Sequence, residues 1–279
     1  MTDICEMAIK ITQDKKNRAE EMYKTGKYTF CQISREIGCS DEPIRKYLLS
    51  LGYKAKTYSE AQRKYNLDKN FFDTIDNEEK AYFLGFLYAD GFICDKRNSL
   101  MLQLKEDDKE ILERLKDSIG YSGPLKYRVR NLKWKGCKKG SKNSWCLNIT
   151  DKHLISQLIN KGCTPRKTFT AQFPSIPSEL SRHFIRGYFD GDGCVRSSIK
   201  KGGNVSFTFD VAGNESFLKE YQKIMINELG LNSTKISEHG GIFYLRYGGN
   251  NNCRKIKHFL YDSSNIFLKR KFEKFKSLI

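Results

Sequence analysis

The segment FLGFLYADG, Phe83 to Gly91, returns in altered form as IRGYFDGDG, Ile185 to Gly193. The two closing glycines are 102 residues apart. Each copy carries small residues four apart, Gly85 with Ala89 and Gly187 with Gly191. On a helix these share one face, and missing side chains there let two backbones approach closely. Each copy ends in Asp-Gly, Asp90-Gly91 and Asp192-Gly193. The glycine can stop the helix in the left-handed conformation. The aspartate works against stability, because a carboxylate at a helix C-terminus meets the negative end of the macrodipole. If the helices pack through their small faces, both carboxylates arrive close together. Two repelling anions at two negative dipole ends need a cation, and hard oxygen ligands favour Mg²⁺. One apolar helix with a glycine stop is ordinary; two at a fixed offset, each followed by a strand pair, are not.

Outward from these segments, the chain runs twice through one design from Asn77 onward. The first pass reads as a helix (Glu78 to Asp90) and strands at Phe92 to Cys94 and Leu100 to Lys105. A helix in DDKEILERLKDSIG, strands at Leu125 to Trp134 and Ser144 to Thr150, and a helix in KHLISQLINKG follow. The second pass reads as a helix (Glu179 to Asp192) and strands near Cys194 to Ser198 and Val205 to Val211. The helix of ESFLKEYQKIMINELG, strands at Thr234 to Glu238 and Ile242 to Tyr247, and a helix from Asn252 to Tyr261 complete it. Both halves are α-β-β-α-β-β-α, so the expected fold is α+β, with two pseudo-symmetric subdomains over 77–170 and 171–279. Residues 1–60 form a small helical domain, and 61–76, overlapping the polar and basic stretch Lys54 to Lys69, a linker. In the helical domain, Asn17 to Lys24, Phe30 to Ile37 and the helix of SDEPIRKYLLSLG are separated by Gly26 and Gly38, with Ser40 as a cap. Two short helices joined at a glycine resemble a helix-turn-helix, whose second helix would offer Arg45 and Lys46 to a major groove.

The chain of 279 residues holds 50 Lys and Arg against 33 Asp and Glu, a net charge of +17. An apolar fraction of 39% supports real cores, so a wholly disordered basic protein is excluded. Polyanionic partners are the leading reading of such charge. It is concentrated in PLKYRVRNLKWKGCKKGSK, Pro124 to Lys142, which contains no acid. Lys126, Arg128 and Arg130 alternate with Tyr127 and Val129, placing cations on one face of a strand, with Lys133 and Lys135 beyond. No basic amphipathic helix stands out, which weakens a membrane-surface role. The longest apolar run, Ala81 to Ala89, is far short of the roughly 20 residues that span a bilayer. Nine cysteines without a C-x-x-C pair suit free thiols better than disulfides or a zinc site. The start MTDICEMAIK lacks an apolar leader core. An intracellular reducing compartment is expected: bacterial or phage-infected cytoplasm, or an organelle matrix.

At FLGFLYADG and IRGYFDGDG the sequence resembles the LAGLIDADG homing endonuclease family, in its single-chain, two-motif form, over about Asn77 to the C-terminus. The resemblance implies two sheets forming saddle-shaped DNA-binding surfaces and a divalent-metal site, with Mg²⁺ as the expected ion. The residue before each final glycine carries over as a metal ligand and catalytic group, Asp90 and Asp192, with Gly91 and Gly193 beside them. The first copy departs from the motif in having Tyr88 where the second keeps Asp190, a position usually structural. The resemblance also places a lysine after the last helix of each half: Lys167 in TPRKTFTAQFP and Lys271 in FLKRKFEKF. An ammonium there could polarise water or stabilise charge developing on phosphorus. Arg196, Lys200 and Arg246 join the basic strand as DNA-binding residues, and Gln103, Lys105 and Asp210 as polar groups near the centre. The implied function is site-specific double-strand DNA cleavage, on a long asymmetric target and by a monomer. The competing readings are a non-catalytic DNA-binding regulator and an intron RNA-splicing maturase, with intron RNA as a further partner. A regulator would be expected to lose one or both motif acids. An intein is disfavoured by the Met1 start and Ser-Leu-Ile end, and HNH or GIY chemistry by the absence of their signatures.

Overall fold

Thr29 opens one helix with a reciprocal cap. Its hydroxyl accepts from the Gln32 N–H at 3.2 Å, while the Gln32 side chain accepts from the Thr29 N–H at 2.9 Å. Gly38, at φ 65°, closes the same helix in the left-handed conformation. The computed structural model describes residues 11–26, 28–55, 64–129, 143–167, 169–200, 202–276 and 278. Its chain divides into two compact units, Met1–Tyr65 and Asn66–Ile279. In the first, α1 (Gln13–Lys24), α2 (Phe30–Ile37) and α3 (Asp41–Ser50) surround Ala19, Phe30, Ile33, Ile37, Ile44 and Leu48. The first helix begins four residues earlier than expected, because the Thr12 hydroxyl caps it by accepting from the Lys15 N–H. Ser40 precedes α3, but its side chain makes no capping hydrogen bond.

The second unit contains the repeat. Its first half holds α4 (Glu78–Asp90), β1 (Gly91–Cys94), β2 (Ser99–Lys105), α5 (Lys109–Ser118), β3 (Lys126–Arg128), β4 (Ser144–Thr150) and α6 (Lys152–Asn160). The second holds α7 (Ser181–Asp192), β5 (Gly193–Ile199), β6 (Val205–Gly213), α8 (Glu215–Leu229), β7 (Ser237–His239), β8 (Ile242–Gly248) and α9 (Asn250–Tyr261). A short α10 (Lys269–Glu273), not anticipated, follows. Each half builds a four-stranded antiparallel sheet, in the orders β1-β2-β4-β3 and β5-β6-β8-β7. The registers match: Gly91 faces Leu102 and Gly193 faces Val211, while Leu102 faces Leu147 and Val211 faces Leu245. Alternation fixes the faces. Leu100, Leu102 and Leu104 point inward from β2, as Phe207, Phe209 and Val211 do from β6, onto a core shared with α4 and α7. Each such side chain contributes about 1.5–3 kcal/mol when fully buried.

The expected linker over 61–76 ends sooner. Phe71, Phe72 and Ile75 are buried in the second unit's core, and the Asp68 N–H donates to Ile119 O at 2.8 Å. Three apolar side chains in one short segment gain more from burial than a solvated tether would retain. The strand expected over Leu125 to Trp134 is described as far as Arg128, and Arg130, Lys133 and Lys135 lie outside the described residues. Among the described residues, no helix is long and apolar enough to cross a membrane.

Candidate active site

Helices α4 and α7 meet along their small faces. A Cβ at Gly85 would lie 2.0 Å from the Phe184 carbonyl oxygen, and one at Gly187 would lie 2.0 Å from that of Tyr82. The two contacts are equivalent, since Tyr82 and Phe184 each precede their own helix's glycine by three residues. A Cβ at Gly191 would come within 2.3 Å of the Ala89 methyl, so Gly85, Ala89, Gly187 and Gly191 all lie in the expected interface. Backbone packed on backbone at this distance leaves the helices one relative position, which fixes where their ends emerge.

Those ends carry the acids. Gly91 and Gly193 do not stop their helices in the left-handed conformation; both are extended, at φ −71° and −87°, and begin β1 and β5 directly. Glycine is required there for space, because a Cβ would meet the Leu87 and Phe189 carbonyl oxygens at 2.6 Å. The helix therefore passes into a strand without a loop, and Asp90 and Asp192 project from the junction. Asp90 Oδ2 lies 3.3 Å from where a Gly191 Cβ would stand, against the opposite helix and beside Asp192. Both residues are open to solvent on one side and crowded by protein on the others. Partial desolvation raises the pKa of Asp90, with Lys271 and Lys167 opposing it. Desolvation, reinforced by the charge of Asp90, pushes Asp192 up to about 6.

A lysine from each half reaches the adjoining carbonyl: Lys167 Nζ donates to Gly91 O and Lys271 Nζ to Gly193 O. Lys271 is buried, and burial, helped by neighbouring Arg270, lowers its pKa to about 8. Gly91 and Gly193, expected among the metal ligands, thus offer their carbonyl oxygens to ammonium groups. Two carboxylates remain to hold a cation. Among the described residues, no group of three or more His, Cys, Asp and Glu side chains forms a metal cage. The donor set fits Mg²⁺, which keeps several waters and binds through one or two carboxylates together with substrate phosphates.

Asp190 has another task. It is fully buried, and Tyr82 Oη, Tyr261 Oη and the Leu268 N–H donate to it at 2.8, 2.9 and 2.7 Å. One carboxylate thereby ties α4, α9 and the approach to Lys271 together; burial still raises its pKa to about 6. Its counterpart Tyr88 donates instead to Lys161 O, leading toward Lys167.

The outer faces of the sheets carry the polar residues. Lys126 and Arg128 are exposed on β3, and Arg128 Nη1 donates to Gln103 Oε1 at 3.0 Å. Lys105 is exposed on β2 and Lys200 in the turn after β5. Arg196 and Arg246 converge on Asp210. With Asp192, Cys194 and Tyr244, these three line a concavity of about 570 Å³. Arg45 and Lys46 lie on α3 of the separate N-terminal unit, where Lys46 pairs with Glu42 at 2.8 Å.

Two buried charged residues, Arg186 and Asp108, and the pairing of Asp210 were not expected from the sequence. Arg186, inside the second motif, is fully buried and donates to Ile266 O, Leu260 O and Glu78 Oε1. Asp108 pairs with Arg270 at 2.9 Å across the two halves. Asp210 joins two arginines from different strands. A charged residue inside an otherwise apolar helix face was the available signal for Arg186; the other pairs depend on tertiary register.

Residues 179–276 match the family described as LAGLIDADG-like domain. Among solved structures, the I-SmaMI LAGLIDADG homing endonuclease bound to cleaved DNA is 15% identical, with 72% of this chain and 87% of that chain covered at a TM-score of 0.46. The I-LtrWI LAGLIDADG homing endonuclease bound to target DNA is 10% identical over 72% and 88% of the two chains, at 0.47. I-SmaMI bound to uncleaved DNA in the presence of calcium ions is 15% identical over 70% and 87%, at 0.45. The glutamine–fructose-6-phosphate aminotransferase (isomerizing) of Methanocaldococcus jannaschii is 29% identical over 163 residues, 56% of this chain. The chain spans 13% of that relative's length.

Proposed function

We propose that this protein, which carries a LAGLIDADG-like domain over residues 179–276, is a site-specific DNA endonuclease cutting both strands of a duplex at the paired ends of α4 and α7. The observation that carries the reading is the convergence of Asp90 and Asp192 at a glycine-packed helix interface, each junction contacted by a lysine of its own half. Nothing in folding stability favours two crowded carboxylates at two helix C-termini. A cation and a phosphate would relieve both the repulsion and the desolvation.

LAGLIDADG endonucleases use divalent metal ions. Asp90 and Asp192 would hold such an ion, which would supply charge neutralisation and Lewis acidity for in-line hydrolysis of a phosphodiester. The chain's own part is positional. The α4–α7 contact holds the two carboxylates at one spacing. Lys167 and Lys271 place positive charge beside each acid, where it can stabilise the charge developing on a scissile phosphate. The outer sheet faces offer arginine, lysine and amide groups at alternate positions for a major groove. Arg45 and Lys46 of the N-terminal unit would contact further DNA.

The test is cleavage and binding by Asp90→Asn and Asp192→Asn on a duplex recovered from a randomised library. The expected result is loss of double-strand cleavage with affinity retained or increased, because a charge that repels phosphate is gone. Undiminished cleavage by the double variant would remove the assignment. Sequence-selective binding by the parent without any cleavage in Mg²⁺ would make the protein a regulator instead.

A further inference from the structure

Asp210 stands on the outer face of β6 with its side chain 8% exposed, while its two partners are far more open, Arg196 at 58% and Arg246 at 52%. Arg196 Nε donates to Asp210 Oδ2 at 3.0 Å, and its Nη2 donates to the same oxygen. Arg246 Nε donates to Oδ1 at 2.5 Å. One carboxylate thus takes an inner edge of two guanidinium groups on β5 and β8, the strands that flank β6. A guanidinium has five N–H donors in a rigid plane, so engaging Nε leaves terminal Nη donors directed away from the carboxylate. A terminal fork fits the O6 and N7 acceptors of guanine. An arginine fixed this way also loses less side-chain freedom on binding than a free one.

Resting on the proposed endonuclease reading, we infer that Asp210 is a positioning residue that holds Arg196 and Arg246 to read two guanines in the half of the target lying under the second sheet. The place follows from the strand. Arg196 is three residues past Gly193, where β5 leaves the helix that carries Asp192, about 10 Å along the strand from that junction.

The first sheet differs at the register-equivalent positions. Met101 faces Asn148 there as Asp210 faces Arg246 in the second sheet, and Cys94 occupies the place of Arg196. Phe92, beside them on the outer face, is 58% exposed. The first sheet thus lacks the carboxylate-held arginine pair: Met101 there is met by Arg128 alone, which also donates to Gln103 Oε1. The two guanine preferences are therefore expected on one side of the cut only.

The experiment selects duplexes bound by the full chain from a randomised library in Ca²⁺ buffer and sequences them. The expected outcome is an asymmetric motif with two preferred guanines on one side, each favoured about 5- to 150-fold over other bases. Arg196→Lys and Arg246→Lys should each lose one preference. Asp210→Asn should weaken both together, while affinity for duplexes lacking those guanines is unchanged or higher. Thermal midpoints of all variants are measured alongside. A uniform fall in affinity for every sequence with Asp210→Asn, or retention of both guanine preferences, overturns the inference and leaves the endonuclease reading intact. A parent protein that selects no motif overturns both.

Discussion

At the scale of single residues, burial decides which charges this protein can use. His183 lies beside Arg186 and Glu78, and its Nδ1 is buried without a hydrogen bond. Burial, then the charge of Arg186, lowers its pKa to about 4. An unfolded chain protonates the same imidazole near its ordinary value of about 6.5. The folded state thus holds fewer protons, and the stability present above pH 6.5 is lost as pH falls toward 4. The buried Asp190 has the opposite sign: with a folded value of about 6, its protonated form is favoured by folding, so its contribution grows as pH falls from 6 to 4. Comparing the parent with His183→Gln cancels the carboxylates and isolates the histidine. Between pH 7 and pH 4.5 the variant should lose less unfolding free energy than the parent, by on the order of 2 kcal/mol. Urea titrations at the two pH values measure it, and parallel losses would mean His183 is protonated in the folded state.

At the scale of elements, the α4–α7 contact has little room to give. Gly85 and Gly187 each face a carbonyl oxygen of the opposite helix backbone, so an added methyl cannot be accommodated by turning a side chain. Gly85→Ala or Gly187→Ala should destabilise the second unit by about 3 kcal/mol or more, the upper range for overpacking. The double variant should cost less than the two single costs combined, since helices already forced apart have room for the second methyl. Denaturant midpoints test this. Gly202, with open space where a Cβ would be, is a poor comparison because its φ of 102° strains any other residue. Ala89→Ser, which adds one oxygen at the edge of the same interface, is a milder control.

At the scale of the whole molecule, the boundary between units falls at residue 65, and Phe71, Phe72 and Ile75 belong to the second unit's core. A chain beginning at Asn66 should melt cooperatively near the parent's second-unit transition. One beginning at Asn77 should be less stable by several kcal/mol, since it removes three buried apolar side chains at about 1.5–3 kcal/mol each. If the N-terminal unit reads DNA, the chain from Asn66 should keep metal-dependent cleavage at high concentration while showing a shorter footprint and weaker binding. The lost linkage would be worth up to about 10²–10⁴-fold. Identical footprints for the full and shortened chains would assign the N-terminal unit another partner.

The amino-acid sequence by itself determined the doubled α-β-β-α-β-β-α order and the two helix faces that carry small residues four apart. These are local properties: period-two and period-3.6 patterns, caps and glycine positions act within a few residues of themselves. Asp90 and Asp192 stood out because the duplication repeats them 102 residues apart, whereas Lys167 and Lys271 entered only through the family resemblance. Tertiary structure alone decided that Gly91 and Gly193 are extended and required for space, since the obstructing carbonyls one turn back matter only once the helix runs straight into a strand. It also decided that Asp190 ties three segments together and that Asp210 holds two arginines on either side of it. Neither is visible along the chain, because hydrogen-bond partners 71 to 108 residues from Asp190 and 14 to 36 residues from Asp210 are brought within reach only when strands take their register and helices their packing distance.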